Sequence, residues 1–570
     1  MTHGCALVTD TVFVTVAAPT LTGAGRAGQV HAGARVTPFA PSRLWSRLVL
    51  SVVAGVLLDL AFPPVGLWWA APVGVALGAV AVRGTGLRRA YGLGLAFAAA
   101  FLLPLLAWSR VAGIDAWLIL TLTQTLLLAL VSPVTALSTR LPGAPLWVAT
   151  SWTLVEALRG RAPFGGFPWG RLAFSQGHGS YTGLAALGGA PLVTFAVALT
   201  GGLLAALLLR LPALERALSG SGAMSRRGPA AVALVLAALV AVAGLAVPRP
   251  VAPQAGSPVV AAIQGNVPRR GLDALGQKRA VTANHAIRTE QLAADIRAGR
   301  VAAPDLVLWP ENSSDVDPFL DPLAADLLAQ ASTSVGRPLL VGAVLQGPGP
   351  GHVRNAGLLW GPSGWLGQIY VKQHPVPFAE YLPGRSVLQR LVHRFKDLMP
   401  NDFVAGHRAG VLDIPTRLTP RAPAVRVGDV ICFEVAYDSL VRTPVRHGAQ
   451  LIVVQTNNAT FGRSGETYQQ LEMSRLRAVE HGRAVVVVAT SGVSALINPD
   501  GSVLTTASPF TAAALVRSLP LRTSTTLADR VGEWPEGLLA GLGLVGLLAA
   551  ALLRRGPGAR RVPATASKGA

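Results

Sequence analysis

Three residues capable of joint chemistry each stand where an apolar run of the sequence ends. Glu311 closes "LVLWPE", Lys372 closes "IYVK", and Cys432 lies in "VICFEV". Side chains at the carboxyl ends of strands often carry the chemistry of α/β proteins. Together they offer a base, a fixed positive charge and a nucleophile. Acyl transfer through a thiol requires these three roles.

Composition sets two of these residues apart. Cys432 is one of two cysteines in 570 residues, and the other is Cys5, so the sequence predicts neither a disulfide framework nor a metal site. Four of the 49 basic residues are lysine, so Lys372 departs from a chain that otherwise uses arginine. Each also has an ordinary interpretation when taken alone. Cys432 would then be a small core residue, and Lys372 a snorkelling or salt-bridged side chain.

The elements that must position these residues begin with a membrane region. The chain is 51% hydrophobic and 14% charged, which is not the balance of a soluble domain. About 20 apolar residues suffice to cross a bilayer. Eight stretches predict such spans, near residues 46–62, 65–82, 88–108, 113–137, 144–158, 186–209, 229–247 and 535–553. Within the fifth, Glu156 is expected to pair with Arg159, one turn away.

Arginine placement predicts the orientation of these spans. The net charge of +21 lies mainly beside apolar segments, which indicates membrane topology and argues against nucleic-acid binding. The N-terminus is then cytoplasmic, and the region between the seventh and eighth spans faces outward. One outer loop, "RGRAPFGGFPWGRLAFSQ", breaks the pattern with three arginines. Its Trp169 and Arg171 are candidates for contacting lipid headgroups, and the alternative is an ordinary interfacial anchor.

Between the last two spans the sequence changes character. Short apolar runs alternate with amphipathic helical patterns over residues 257–518, which predicts an α/β sheet domain. The predicted organisation is a disordered leader (1–43), a membrane domain (44–248), an outward-facing catalytic domain (257–518), a last span (534–555) and a cytoplasmic tail (556–570).

The motifs resemble a known superfamily. Glu311 in "WPE", Lys372 about 60 residues later and Cys432 about 60 further on resemble the Glu-Lys-Cys triad of the nitrilase, or carbon–nitrogen hydrolase, superfamily. Membrane spans on both sides of the domain resemble the apolipoprotein N-acyltransferase family. The stretches "GGFPWGRLAFSQ", "AAIQGNVP" and "PFAEYLPGR" match that family too.

The resemblance implies a fold and a set of roles. The fold is a polytopic membrane bundle of about eight spans with an inserted αββα nitrilase-like sandwich. Glu311 is implied as the general base, Lys372 as the oxyanion and charge stabiliser, and Cys432 as the nucleophile. No cofactor or metal is implied.

Further residues are implied as supports of this triad. Glu380 and Glu434 match supporting glutamates, and the backbone N–H of Phe433 would be a second oxyanion donor. As ordinary alternatives, Glu380 would pair with Arg385 and Glu434 would cap a helix. The family usually has tyrosine where Phe433 stands, so a hydrogen bond from that ring is absent.

A second departure from the family pattern lies in a loop. The family's "NDxWFG" reads "TNNATFG" here, with Asn458 in place of aspartate and Thr460 in place of tryptophan. Asn457, Asn458 and Phe461 of this loop are substrate-binding candidates.

The implied reaction moves an acyl chain from a membrane phospholipid to Cys432. The chain then passes to the α-amine of the diacylglyceryl-cysteine of an apolipoprotein, at the outer face of the bacterial cytoplasmic membrane. Two alternatives remain open. One is a membrane-anchored amidase that releases its thioester to water, and the other is a non-enzymatic scaffold for an envelope enzyme.

Overall fold

The computed structural model describes residues 41–211, 230–267, 278–391, 400–414 and 425–555. Residues 1–40 of the predicted leader and the whole predicted tail, 556–570, lie outside the described residues. The described chain contains a helical region, an α/β region and a C-terminal helix.

Each of the first seven predicted apolar stretches forms helix. The stretch at 113–137 forms two helices joined by a turn at residues 129–130, where the backbone angles stay in the right-handed helical region. The stretch at 186–209 contains a break at Gly188 and Gly189, whose backbone angles are not helical. The helices of this region are α1 (Pro41–Leu60), α2 (Ala70–Val82), α3 (Leu87–Leu105), α4 (Ile114–Leu128), α5 (Val131–Ser138), α6 (Ala144–Arg159), α7 (Ala185–Leu208) and α8 (Ala230–Val242).

The α/β region contains two sheets. Its strands are β1 (Val259–Gln264), β2 (Leu306–Leu308), β3 (Leu339–Gln346), β4 (His352–Gly361), β5 (Gly364–Val371), β6 (Asp402–Phe403), β7 (Val411–Ile414), β8 (Val425–Ile431), β9 (Leu451–Thr456), β10 (Ala484–Ala489), β11 (Ala495–Ile497), β12 (Val503–Thr506) and β13 (Ala513–Ser518). Among the described residues, the first sheet has the order β13-β1-β2-β3-β4-β5, with β6 on β4, and the second β12-β11-β10-β9-β8-β7. The centre of each sheet is parallel, with β1 beside β2 and β9 beside both β8 and β10.

The helices of the α/β region are α9 (Lys278–Arg297), α10 (Pro322–Val335), α11 (Arg385–Leu391), α12 (Asp438–Arg446), α13 (Glu466–His481) and α14 (Leu527–Val531), after which α15 (Trp534–Arg555) ends the described chain. Helices α9 and α10 pack on the outer face of the first sheet, and α12 and α13 pack on that of the second. Alternate residues of a strand point to opposite faces of its sheet. Val260 and Ala262 of β1 therefore pack between the sheets, while Ala261 and Ile263 pack with α9 and α10. The layers are helix, sheet, sheet, helix, as the predicted αββα sandwich requires.

The helical layer over the second sheet is continuous with the helical region. One apolar cluster joins the two regions. It contains Val454 of β9 and Leu476 of α13 together with Trp152 of α6 and Phe174 of the loop after α6. Strands β9 and β10 of the second sheet are thus buried on both faces, which explains why their sequences are apolar runs without alternation.

Within the described residues, three stretches are long and apolar enough to cross a membrane, namely Ile114–Ser138, Thr182–Leu208 and Trp534–Arg554. Helix α2 has 13 residues, which at a rise of 1.5 Å per residue reach about 20 Å and fall short of the roughly 30 Å hydrocarbon core. The helix within the predicted span 65–82 is shorter than the span because turns occupy residues 61–65 and 68–69 before it begins. The prediction of eight spans is therefore not confirmed.

Candidate active site

Cys432 stands at the junction of a strand and a one-turn helix. Strand β8 ends at Ile431, and residues Cys432–Ala436 form a 3₁₀ turn. The φ angle of Cys432 is +54°, in the left-handed region that side chains other than glycine rarely adopt. Such strain persists only where the surroundings impose it, and it is typical of functional positions. The backbone thus lifts the thiol out of the strand direction.

Glu434 is the group that holds this turn. Its carboxylate is fully buried and accepts hydrogen bonds from the backbone N–H groups of Ile431 at 2.8 Å, Gln373 at 2.7 Å and His374 at 3.2 Å. The hydroxyl of Tyr370 donates to the same carboxylate at 2.8 Å. Glu434 therefore caps the turn, as the ordinary alternative expected, and also ties Cys432 to the loop after Lys372.

Lys372 follows β5 and is held between two carboxylates. Its Nζ lies 2.8 Å from Oε1 of Glu380 and 3.3 Å from Oε1 of Glu311, and the residue is 2% exposed. Burial alone would lower the pKa of Lys372, but the charges of Glu380 and Glu311 overcome it and raise that pKa well above the ordinary value. The lysine therefore stays protonated and supplies positive charge rather than acting as a base. Arg385 pairs with Asp402, not with Glu380.

Glu311 is oriented by three donors. The amide of Asn355 donates to Oε1 at 2.7 Å, the backbone N–H of Asn457 donates to Oε2 at 2.8 Å, and Lys372 completes the set. Asn355 also donates to Glu380 at 3.1 Å, so one amide fixes both carboxylates that face the lysine. A carboxylate held this way can receive a proton without rotating.

The thiol of Cys432 is close enough to this cluster for the charges to act on it. Burial, followed by the negative charge of Glu311, raises the pKa of Cys432 well above its ordinary value, while Lys372 opposes the shift. The resting sulfur is therefore a neutral thiol. A nearby base must remove its proton for the sulfur to attack, because the thiolate is the reactive form.

Aromatic rings from the loop between α6 and α7 cover the turn that carries Cys432. Trp169 stacks on Phe433 with ring centroids 5.0 Å apart and an interplanar angle of 17°, and Phe167 packs on the same ring at 5.3 Å. Trp108 joins Trp169 at 5.4 Å and Phe461 at 5.1 Å. These rings form an apolar wall beside Cys432, to which Trp169, Phe433 and Phe461 of the predicted residues contribute.

Arg171 occupies a different place from its predicted neighbour Trp169. It is 5% exposed and contacts Asp438 at 2.9 Å, Glu536 at 3.4 Å and Glu156 at 3.7 Å. These carboxylates, Asp438 first among them, overcome the effect of burial and raise the pKa of Arg171. Because three carboxylates already surround Arg171, it is suited to holding the loop between α6 and α7 against the α/β region. These surroundings do not favour binding a headgroup.

The expected pairing of Glu156 with Arg159 is wrong. Glu156 instead accepts from the backbone N–H of Leu172 at 2.8 Å and from the Thr194 hydroxyl at 2.7 Å. Arg159 donates to Gln124 at 2.9 Å. Spacing along one helix allowed the pair, but the hydrogen bonds of the two side chains are made to partners in other segments.

The two asparagines of the "TNNATFG" loop serve the site in different ways. Asn457 holds Glu311 through its backbone, and its Oδ1 accepts from the Thr490 hydroxyl at 2.8 Å. The side chain of Asn458 is 1% exposed and donates to Glu466 at 2.6 Å and to Gln470 at 3.1 Å. Asn458 therefore faces the protein interior, whereas Phe461 lies in the aromatic wall.

Several residues of the site were missed by sequence reasoning. Asn355 and Tyr370 lie inside β4 and β5, and Gln470 lies inside α13, where nothing in the spacing distinguishes them. Composition does not mark Asn355, because β4 also contains His352 and Arg354. Asp429 did carry a signal, since this carboxylate stands directly before "VICFEV" near the end of β8, where it is fully buried.

Comparison with known proteins identifies two regions of the chain that match protein families. Residues 54–203 match the apolipoprotein N-acyltransferase N-terminal domain, and residues 260–529 match the carbon-nitrogen hydrolase domain. The apolipoprotein N-acyltransferase of Mycolicibacterium smegmatis is 38% identical over 522 residues, which cover 89% of this chain and 85% of that protein. The protein of the same name from Azotobacter vinelandii is 33% identical over 543 residues, covering 90% and 96%. The chain therefore belongs to the apolipoprotein N-acyltransferase family and is an acyltransferase that carries a carbon–nitrogen hydrolase domain.

Proposed function

We propose that this protein N-acylates the diacylglyceryl-cysteine of bacterial apolipoproteins through a thioester on Cys432. The observation that carries the proposal is the arrangement around Lys372. Its ammonium is buried between Glu311 and Glu380, and the charges of Lys372 and Glu311 act on the thiol of Cys432. A neutral thiol, an oriented carboxylate and a permanent positive charge together suit attack on an acyl carbonyl.

In the first step, Glu311 takes the proton of the Cys432 thiol while the sulfur attacks the carbonyl carbon of a phospholipid acyl ester. Negative charge develops on the carbonyl oxygen, and Lys372 stabilises it together with the backbone N–H of Phe433. That N–H lies in the first turn of the 3₁₀ helix, where helical N–H groups have no partner within the helix. The ester C–O bond then breaks, and Glu311 returns the proton to the leaving lysophospholipid oxygen.

In the second step, the α-amine of the acceptor attacks the thioester carbonyl. The same oxyanion donors stabilise the intermediate, the C–S bond breaks, and the amine proton passes through Glu311 to the departing sulfur. An amide forms and the thiol is restored. A covalent intermediate divides one transfer into two, and one nucleophile thereby serves two substrates in turn.

The proposal includes placement at a membrane. The apolar helices described above would lie in the bacterial cytoplasmic membrane as a multi-pass bundle, with the α/β domain on its outer face. Both substrates carry their acyl chains in the bilayer and their reacting groups at its surface. The aromatic wall beside Cys432 is the surface best suited to guiding an acyl chain to the sulfur, because Trp and Phe rings offer large apolar area.

The test is an intact-mass measurement on the detergent-purified protein after incubation with phospholipid, in parallel with Cys432→Ala. A mass gain of one acyl chain that hydroxylamine removes, absent from Cys432→Ala, is the expected result. A diacylglyceryl-cysteine peptide should then discharge the chain and gain its mass.

Discharge to water at the same rate with and without the peptide would favour the amidase. Two results together would favour the scaffold. The folded parent protein would never be acylated, and the Cys432→Ala variant would retain the cellular function.

A further inference from the structure

A polar network approaches Cys432 from a direction that the proposed mechanism does not use. Thr456 ends β9, and Gln470 lies on the buried face of α13. Nε2 of Gln470 lies 3.9 Å from Sγ of Cys432, and the Thr456 hydroxyl lies 3.5 Å from the same sulfur. Both distances fall within the longer range that a sulfur acceptor allows. Gln470 is 1% exposed and Thr456 is fully buried, so water does not compete for these contacts.

The orientation of the Gln470 amide follows from its other partners. Its Oε1 accepts from the Thr456 hydroxyl at 2.9 Å and from Nδ2 of Asn458 at 3.1 Å. Two donors at one end of the amide require the oxygen to be there, and the –NH₂ group must then face Cys432. Thr456 has one proton, and the nearer acceptor is Gln470, so the N–H of Gln470 is the donor directed at the sulfur.

Asn458 is held in turn by a carboxylate. Its Nδ2 donates to Oε2 of Glu466 at 2.6 Å as well as to Gln470, so both of its amide protons are used. Glu466 is 2% exposed and lies at the start of α13, the helix that carries Gln470. Burial raises the pKa of Glu466 to about 8, which keeps the group largely uncharged near neutral pH. The network thus ends in a buried carboxyl group whose charge, when it ionises, raises the pKa of Cys432.

From this geometry we infer that Gln470 is a further catalytic residue. Its amide N–H donates to the sulfur of Cys432 as negative charge develops there, and Asn458 and Glu466 act as positioning residues for that amide. The inference rests on the proposed function of Cys432 as a nucleophile. It explains why asparagine replaces the family's aspartate at 458. An aspartate there would offer no proton to the Gln470 oxygen, and the amide would turn its –NH₂ group away from the sulfur.

The test measures the thiol directly. In a Cys5→Ser background, Cys432 is the single thiol of the chain, so the rate of alkylation by iodoacetamide against pH reports its pKa. Gln470→Met removes the donor at similar volume, and Gln470→Glu replaces it with an acceptor. Gln291→Glu, on the exposed face of α9, is the matched control.

A hydrogen bond to a charged acceptor is worth roughly tenfold or more in an equilibrium. We expect Gln470→Met to raise the thiol pKa by about one unit and to slow acylation by phospholipid about 10-fold. Gln470→Glu should have the larger effect, and Asn458→Asp should shift the pKa in the same direction as Gln470→Met. Gln291→Glu should match the parent protein, and melting temperatures will show that each variant is folded.

An unchanged pH profile in folded Gln470→Met would overturn the inference. A shift confined to Gln470→Glu would also overturn it, because added charge alone would then account for the effect. The alkylation profile needs no phospholipid, so it decides the role of Gln470 even if the parent protein is never acylated. In that event, the absence of acylation would count against the proposed function separately.

Discussion

Replacement of Glu434 by glutamine tests how the fold holds Cys432 in position. The change keeps the shape of the side chain and converts one acceptor oxygen into a donor. Oε1 of Glu434 accepts from the N–H groups of Gln373 and His374, and Oε2 accepts from the N–H of Ile431. Whichever oxygen becomes –NH₂, at least one buried backbone N–H then faces another donor.

The magnitude follows from those contacts. A buried donor left without a partner costs about 1–3 kcal/mol, and hydrogen bonds to a charged acceptor contribute about 1.5–3 kcal/mol each. Although burial raises the pKa of Glu434, the converging donors oppose the shift by stabilising its carboxylate. We therefore expect Glu434→Gln to destabilise the protein by about 2–4 kcal/mol. Acylation of Cys432 should fall at least about 10-fold, because the strained turn at φ +54° loses the group that holds it.

The assay combines thermal unfolding in detergent with intact-mass kinetics of acylation. Glu533→Gln is the matched control, since its side chain is 66% exposed and makes an ion pair with Arg442 at 3.1 Å. Because the Glu533 carboxylate is exposed to solvent, which screens its charge, this pair contributes at most about 1 kcal/mol. A Glu434→Gln protein that melts and acylates like the control would refute the reasoning, because the turn would then not depend on the charged acceptor.

Three further predictions concern buried charges. Burial raises the pKa of Asp429 well above its ordinary value, so the folded protein binds a proton there that the unfolded chain releases above about pH 4. Because of this linkage, the free energy of unfolding falls as pH rises. Asp429→Asn should make that fall less steep by up to about 1.4 kcal/mol per pH unit between pH 5 and 8. Parallel plots of unfolding free energy against pH for the two proteins would contradict the prediction. Lys372→Met should lower the acylation rate at least about 100-fold, as loss of an oxyanion stabiliser does, and a rate within a few-fold of the parent would assign the charge elsewhere. Arg171→Met should remove one of the two arginines that pair with Asp438 and one of the two that pair with Glu536, and lower stability by up to about 3–5 kcal/mol. An unchanged melting temperature would show that the arginine is dispensable.

The family could be identified from local sequence because its markers are local. Each of Glu311, Lys372 and Cys432 follows an apolar run, and their spacing is a property of the chain alone. The family prediction is confirmed by the matches over residues 54–203 and 260–529. An α/β sheet domain was also predictable, because strands buried on both faces appear as apolar runs separated by amphipathic helices. The layered αββα sandwich was implied by the resemblance to the family. The roles of the individual site residues remain predictions.

Helix lengths were less accessible to sequence reasoning. Apolar composition alone made residues 65–82 look like a span, yet the helix begins at Ala70. Hydropathy measures the preference of side chains for an apolar environment and is insensitive to where the backbone turns. Turn residues at the start of an apolar stretch therefore shorten a helix without changing its average hydropathy.

The sequence by itself determined which chemical groups the protein has and which strand ends carry them. Only the tertiary structure decided which groups meet. Asn355 reaches Glu311 across 44 residues, and Gln470 reaches Cys432 across 38. Arg171 donates a hydrogen bond to Asp438, from which it is separated by 267 residues in the sequence. Such contacts depend on the packing of whole elements, because a hydrogen bond requires atoms within about 3 Å and no local pattern records which distant residue will supply the partner.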